Sequence, residues 1–273
     1  MPARCRSRSP CRSAHPRRST QRSSESSSCL ADRGLVRLVL FLSSLWTSPR
    51  DLFRWLLFEL GAGYYTEKLA TGPEAALRVE FADFLSPPPG ARVLDVGCGP
   101  GHLARLLARR GCRVTAVDRG WRLLRIARRW TACDPQTASL SIEFRRAPGE
   151  SLPFPDNSFD LAIATTVIYF VAHPQAVLRE MVRVTRPGGI VATLDPHASM
   201  DRRSVREYCQ RRHFSPADTR KLLAWAIASE RCLRFEEGEL RAMLSAAGLQ
   251  SLILERRMAG LVWFARGSKP RPR

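Results

Sequence analysis

From about residue 73 onward, short apolar runs alternate with stretches of helical period. Val93, Leu94 and Val96 form a brief β-favouring run, Arg113–Val117, Phe159–Ala164 and Ile190–Asp195 share that character, and the more polar Ile142–Arg146 reads as the third strand. Runs this apolar suit strands covered on both faces. Between them, Leu103, Leu106 and Leu107 recur at helical spacing up to Gly111. Trp121–Trp130, with Leu124, Ala127 and Arg128 along its length, and His173–Val184 read the same way. A further helix over Pro73–Leu85 presents Ala76, Leu77, Phe81 and Phe84, and Pro87-Pro88-Pro89-Gly90 stops it. Pro187-Gly188-Gly189 should turn the chain into the strand at Ile190. This βαβα rhythm predicts an α/β fold, an open, mostly parallel sheet with helices on both faces. In such sheets ligands sit outside the carboxyl ends of the strands.

The chain before residue 73 has a different character. Residues 1–33 are rich in Arg and Ser, lack periodicity and hold almost no large apolar side chains. They cannot bury enough surface to offset the entropy of ordering, so they read as a disordered tail. GLVRLVLFLSSLW, from Gly34, is an apolar run of about a dozen residues, short of the roughly 20 that span a bilayer. Asp51 can cap the next segment, LFRWLLFEL, which ends at Gly61. Helices this apolar pack on a domain or lie on a membrane surface. Residues 34–90 are therefore expected to cap the pocket, with peripheral membrane contact through 34–60 as the alternative.

The formal net charge is +19. Residues 1–33 hold eight Arg against Glu25 and Asp32, and Arg266, Lys269, Arg271 and Arg273 crowd the other end. What remains is basic without being extreme. Nucleic acid is a partner to be weighed but is not favoured. The eight cysteines show no CxxC and no regular spacing, which argues against a zinc site and a disulfide framework. Reduced thiols and the lack of a spanning run point to the cytoplasm, with surface membrane association left open.

The chemistry concentrates in RVLDVGCGPGHLARLL, residues 92–107. A strand, three glycines (Gly97, Gly99, Gly101) and a helix start form a nucleotide-type site, with main-chain N–H groups and the positive end of a helix aimed outward. The dinucleotide fingerprint wants glycine at its sixth position, where His102 stands. Asp95, two residues before the first glycine, would repel a pyrophosphate by several kcal/mol as an order of magnitude. S-adenosylmethionine, with a sulfonium, an ammonium and one carboxylate, fits beside that acid. Asp118 ends the next strand, where a carboxylate accepts from both ribose hydroxyls.

These residues resemble the class I S-adenosylmethionine-dependent methyltransferases, in the small-molecule branch (methyltransferase type 11) that includes quinone-biosynthesis enzymes. VLDVGCGPG (93–101) is similar to the family's first motif, Asp118 to its ribose-binding acid, and ESLPFPDNSFDLAIA (150–164) to its adenine-side loop and fourth strand. LREMVRVTRPGGIVATLDP (178–196) and FEEGELRAMLSAAGLQSLILERR (235–257) are similar to the elements that follow. The resemblance implies a Rossmann-like seven-stranded sheet, its last strand, near Leu261–Ala265, antiparallel. The methyltransferase domain would span 91–266, with a helical lid inserted at 197–234 and a basic tail at 267–273. Carried over by position, S-adenosyl-L-methionine would be held by Asp95, Gly97, Gly99, Gly101, Asp118, Gly149, Glu150 and Thr165. Pro148 stands where the family often has an acid, so either Glu150 substitutes for it or the contact is absent. Tyr169 and Phe170 replace histidines found in many relatives.

Methyl transfer from a sulfonium is an in-line displacement that needs alignment first and a base only if the acceptor must lose a proton. His197, just past Asp195-Pro196, is the candidate base, against the plain alternative of a surface or capping residue; His173 and His213 rank below it. The expected activity is methylation of a small, lipophilic acceptor. An RNA, DNA or protein methyltransferase on the same fold is one alternative and a catalytically silent cofactor-binding protein the other. Oligomeric state is not readable from the sequence.

Overall fold

Val93, Leu94 and Val96 are almost completely withdrawn from solvent, and they make β1 (Arg92–Val96) the centre of the sheet. In a computed structural model of the chain, residues 70–272 are described. The tail 1–33, the segments within 34–60 and Tyr64-Tyr65 lie outside the described residues. From α1 (Pro73–Leu85) the chain continues through β1, α2 (His102–Arg109), β2 (Arg113–Asp118), α3 (Trp121–Cys133), β3 (Ile142–Arg146) and β4 (Phe159–Thr165). It then forms α4 (Pro174–Val184), β5 (Thr185–Pro196), α5 (Arg202–Arg211), α6 (Pro216–Ser229), α7 (Glu237–Ala246), β6 (Gln250–Arg257) and β7 (Val262–Ser268). Seven strands lie in the order β3-β2-β1-β4-β5-β7-β6. The first five pair in parallel, and β7 runs antiparallel to both β5 and β6. The parallel part is the open sheet that the alternation of elements predicts, and the seven-stranded Rossmann-like arrangement with an antiparallel last strand is the one the family resemblance implies.

The order of strands dictates where the helices go. From β1 the chain moves outward one way to β2 and β3, then returns to β4 and moves the other way to β5. Right-handed crossovers therefore put α2 and α3 on one face and α4 on the other. The reversal between β1 and β4 opens the crevice at the carboxyl ends of the strands, where a ligand binds.

α1 is tied into the domain by aromatic packing. Phe81 meets Phe264 of β7 edge to face with centroids 5.0 Å apart, and the Arg266 guanidinium lies 4.8 Å above Phe84 while donating to its carbonyl. The start of α1 is held to α6 by Lys221 Nζ, which donates to Thr71 Oγ1 at 3.0 Å. α5 and α6 fall within the expected helical insertion of 197–234. Asp201 and Ser215 cap them by accepting from the amides of Ser204 and Asp218.

Two boundaries differ from expectation. β5 begins at Thr185 rather than Ile190: Thr185 pairs with Phe159, the chain bulges through Arg186–Gly189, and pairing resumes at Ile190 with Leu161. The turn foreseen at Pro187-Gly188-Gly189 is this bulge within the strand. The basic tail expected at 267–273 also begins later. β7 runs through Gly267 and Ser268, and Lys269 Nζ donates to Asn157 Oδ1, Thr185 O and Arg183 O. Main-chain pairing with β5 claims residues whose charge alone suggests a solvated end. No helix among the described residues is long and apolar enough to cross a membrane.

Candidate active site

The glycine loop is bound to its neighbour strand before it bends. The N–H groups of Gly97 and Cys98 both donate to the carbonyl of Val117, at 2.8 and 3.0 Å, which hangs the loop on β2. Gly97 and Gly99 have φ of +69° and +53°, in the left-handed region that side chains avoid. The space around them differs. A Cβ on Gly97 would lie 2.4 Å from Val167 Cγ2, whereas one on Gly99 would meet nothing within 4 Å. Gly97 is a packing glycine, and Gly99 presents bare backbone to open space.

Asp118 is clamped to this loop. Its Oδ2 accepts from Gly99 N–H at 2.8 Å and its Oδ1 from Gly120 N–H at 2.7 Å. A carboxylate has about four lone-pair sites, so each oxygen keeps capacity for a ribose hydroxyl. Asp95 is the opposite case. It is 1% exposed, and neither carboxylate oxygen has a hydrogen-bond partner among the described residues. Burial, then the negative charge of Asp118, push its carboxyl up to about 7, against the opposing pull of Arg78 on α1. A buried carboxylate without partners is costly to ionise, and a cation beside it would remove that cost. The Cys98 thiol between the two acids is pushed up as well, chiefly by burial, so it is not a nucleophile.

The segment after β3 and the loop after β4 leave the sheet at the same, carboxyl edge. Gly149 lies between Val96 and Val177, where a Cβ would come within 3.2 Å of both side chains. Glu150 follows, half-buried. Residues 152–156 are held by Arg183, which donates to the carbonyls of Leu152 and Phe154 and to Asp156, while Glu180 accepts from the Leu152 amide. Thr165 closes β4, opposite Leu194 of β5 in register. Thr166 then takes φ +58° and donates its N–H to Leu194 O at 2.7 Å. A non-glycine residue held there stores strain of order 1–3 kcal/mol, a feature that clusters at functional sites.

The fold thus places Asp95, Gly97, Gly99, Gly101, Asp118, Gly149, Glu150 and Thr165 at or just past the carboxyl ends of the neighbouring strands β1, β2, β3 and β4. His197 is committed elsewhere. Its Nδ1 accepts from the Ser199 N–H at 2.9 Å, its Nε2 lies 3.6 Å from Glu236, and its ring packs 5.2 Å from Trp263 of β7. Burial lowers its pKa, so the imidazole is neutral near pH 7. Two groups escape the sequence reading. Asp195 ends β5 fully buried, accepts from the Tyr169 N–H at 3.1 Å, and is pushed up to about 7 by burial. An acid closing a strand is the signal that marks Asp95 and Asp118, and it is legible here too. Arg78 carries no such signal, because one arginine on a helix reads as solvated surface.

Comparison with known proteins decides the family. Residues 94–193, which run from β1 to near the end of β5, match the model described as a methyltransferase domain. A demethylmenaquinone methyltransferase of Clavibacter sepedonicus is 30% identical over 210 residues, covering 74% of this chain and 83% of that protein. The chain belongs to the class I S-adenosylmethionine-dependent methyltransferases. Within this family, a ubiquinone biosynthesis O-methyltransferase of Hahella chejuensis is 36% identical over 113 residues, covering 41% of this chain and less than half (46%) of that protein. Among solved structures, a phosphoethanolamine N-methyltransferase of Haemonchus contortus, in complex with S-adenosyl-L-methionine, superposes with a TM-score of 0.61 at 16% identity. It covers 83% of this methyltransferase and 61% of the worm enzyme, and it supports the fold. The orphaned Asp95 carboxylate and the open face of Gly99 suit the charge and bulk of the methyltransferase's cofactor, which carries two cationic centres.

Proposed function

We propose that this methyltransferase transfers a methyl group by in-line displacement to a small, lipophilic acceptor. The observation that carries this reading is the length of the similarity to the demethylmenaquinone methyltransferase. At 210 residues it is about twice the 113 shared with the ubiquinone-pathway enzyme. It therefore extends well beyond the methyltransferase-domain match of residues 94–193, into chain that we read as serving the acceptor. The half-buried Tyr208 on α5, Phe214 between α5 and α6, and Leu223 on α6 are, in our reading, apolar lining for such an acceptor.

When bound, S-adenosylmethionine supplies an electrophilic methyl on a sulfonium with a good leaving group. In our reading Asp95 faces the cationic methionyl end, and Gly97, Gly99 and Gly101 allow close backbone approach. Asp118 accepts from the ribose hydroxyls. Gly149 and Glu150 border the adenine, and Thr165 borders the methionyl side. The residues' contribution is alignment and exclusion of water, which can supply much of the barrier reduction in a displacement of this kind. His197, neutral and engaged with Ser199, Glu236 and Trp263, is read as a brace between β5 and β7 rather than as a base.

The test has two arms. Calorimetry of the full chain with S-adenosylmethionine should show one site. A methyl-transfer assay should then favour demethylated quinone acceptors over RNA and protein. Turnover on RNA or protein with none on quinones would overturn the acceptor assignment, and absence of cofactor binding by folded protein would overturn the site.

A further inference from the structure

α3 carries a charge pattern that its own stability does not explain. Leu123, Leu124 and Ala127 form its buried side, while Trp121, Arg125, Arg128 and Arg129 are exposed. Arg122 lies in the first turn, where the helix dipole disfavours cations, and the first turn holds no acid. Arg122, Arg125 and Arg129 recur at three- and four-residue spacing and repel one another. Arg125, Arg128 and Arg129 have no carboxylate within ion-pair distance among the described residues. The strip continues across the start of the helix, where exposed Arg146 at the end of the edge strand β3 donates through Nε to the carbonyl of exposed Arg119. Residues 119–146 hold seven arginines against two acids, Asp134 and Glu143, each already bonded to an arginine (Arg109 and Arg145).

At the end of this strip stands Trp121, 44% exposed. The guanidinium groups of Arg122 and Arg125 lie over its ring, 5.4 and 5.0 Å from the centroid. A tryptophan flanked by arginines suits two anionic partners. Single-stranded nucleic acid would stack a base on the ring face. That face is already occupied by guanidinium groups, which a base would have to displace. A lipid surface makes no such demand: the ring edge enters the interface while the arginines meet phosphates at headgroup depth.

We propose that the α3–β3 edge, through Arg119, Trp121, Arg122, Arg125, Arg129 and Arg146, docks this methyltransferase on an anionic lipid bilayer. Docking through this edge is independent of which acceptor is methylated. Because the chain has other cations, the test compares full-length wild type with Arg122→Glu/Arg125→Glu, and with Arg122→Gln/Arg125→Gln as the milder form. Circular dichroism checks folding of each. In cosedimentation with vesicles of phosphatidylcholine and phosphatidylglycerol, wild type should bind and pure phosphatidylcholine vesicles should retain much less. The charge-reversed protein should bind at least about tenfold more weakly. The blue shift of tryptophan fluorescence on binding should shrink in Trp121→Phe. Equal vesicle binding by wild type and both arginine variants would overturn the proposal. So would variants that lose affinity for a short single-stranded RNA while keeping it for vesicles.

Discussion

Asp95 is buried at the end of β1 without a hydrogen bond to either oxygen, and its carboxyl is pushed up to about 7. An unfolded aspartate titrates near 4, so over the interval from about 4 to 7 the native state holds a proton that the unfolded chain has released. The unligated protein is therefore expected to lose stability as pH rises through that window, with the contribution full below about 4. Asp195, also pushed up to about 7, adds to the same slope. Thermal unfolding of the ligand-free protein at pH 5 to 7.5 checks this. Asp95→Asn and Asp195→Asn should each flatten part of the dependence, and an unchanged slope in both would refute the assignment. A cationic ligand prefers the ionised carboxylate, so affinity for S-adenosylmethionine should rise from pH 6 to 7.5. In Asp95→Asn it should be weaker by about tenfold or more and nearly independent of pH, since a hydrogen bond or contact to a charged group is worth about 1.5–3 kcal/mol.

Within the glycine loop, two positions with similar backbone angles separate packing from binding. Alanine at a left-handed position costs about 1–2 kcal/mol. At Gly99, where a Cβ meets open space, Gly99→Ala should lose about that much stability, yet bind cofactor at least tenfold more weakly because the methyl intrudes where the ligand lies. At Gly97 the methyl also collides with Val167, so Gly97→Ala should lose about 2–5 kcal/mol. Denaturant titration beside calorimetry separates the two, and a Gly99→Ala protein with wild-type affinity would place the cofactor elsewhere. The inserted helices α5 and α6 reach the site through main-chain contacts: Leu233, just past α6, donates its N–H to Tyr169 O, and Tyr169 in turn donates to Asp195. The inserted segment, the post-β4 loop and the end of β5 are thereby coupled through Leu233, Tyr169 and Asp195, which are 26 or more residues apart in sequence.

Taken as a whole, the described chain is one continuous seven-stranded sheet with its ligand crevice at the reversal of strand order, so a ligand there should stabilise all of it. At a hundredfold excess over its dissociation constant a ligand adds about 2.7 kcal/mol, or roughly 5–11 °C in midpoint for a domain of this size. S-adenosylhomocysteine should produce such a shift in differential scanning fluorimetry. A dinucleotide such as NAD, repelled by Asp95, should produce none, and the reverse result would refute the donor assignment. Period and turn chemistry along the chain were sufficient for the succession from α1 at Pro73–Leu85 to β5, including β3 at Ile142–Arg146, whereas α7, β6 and β7 followed from the family resemblance. The glycine spacing and the acids closing β1 and β2 were sufficient for the donor, because local geometry and charge are properties of neighbouring residues. Only the tertiary structure could decide which glycine faces open space, that Asp118 is bound to the loop it borders, that Asp95 has no hydrogen bond among the described residues, and that Arg78 acts on it from α1. It also drew Lys269 into the domain and turned His197 toward Trp263. These depend on distances between residues far apart in sequence, which burial and strand pairing set and no local pattern encodes.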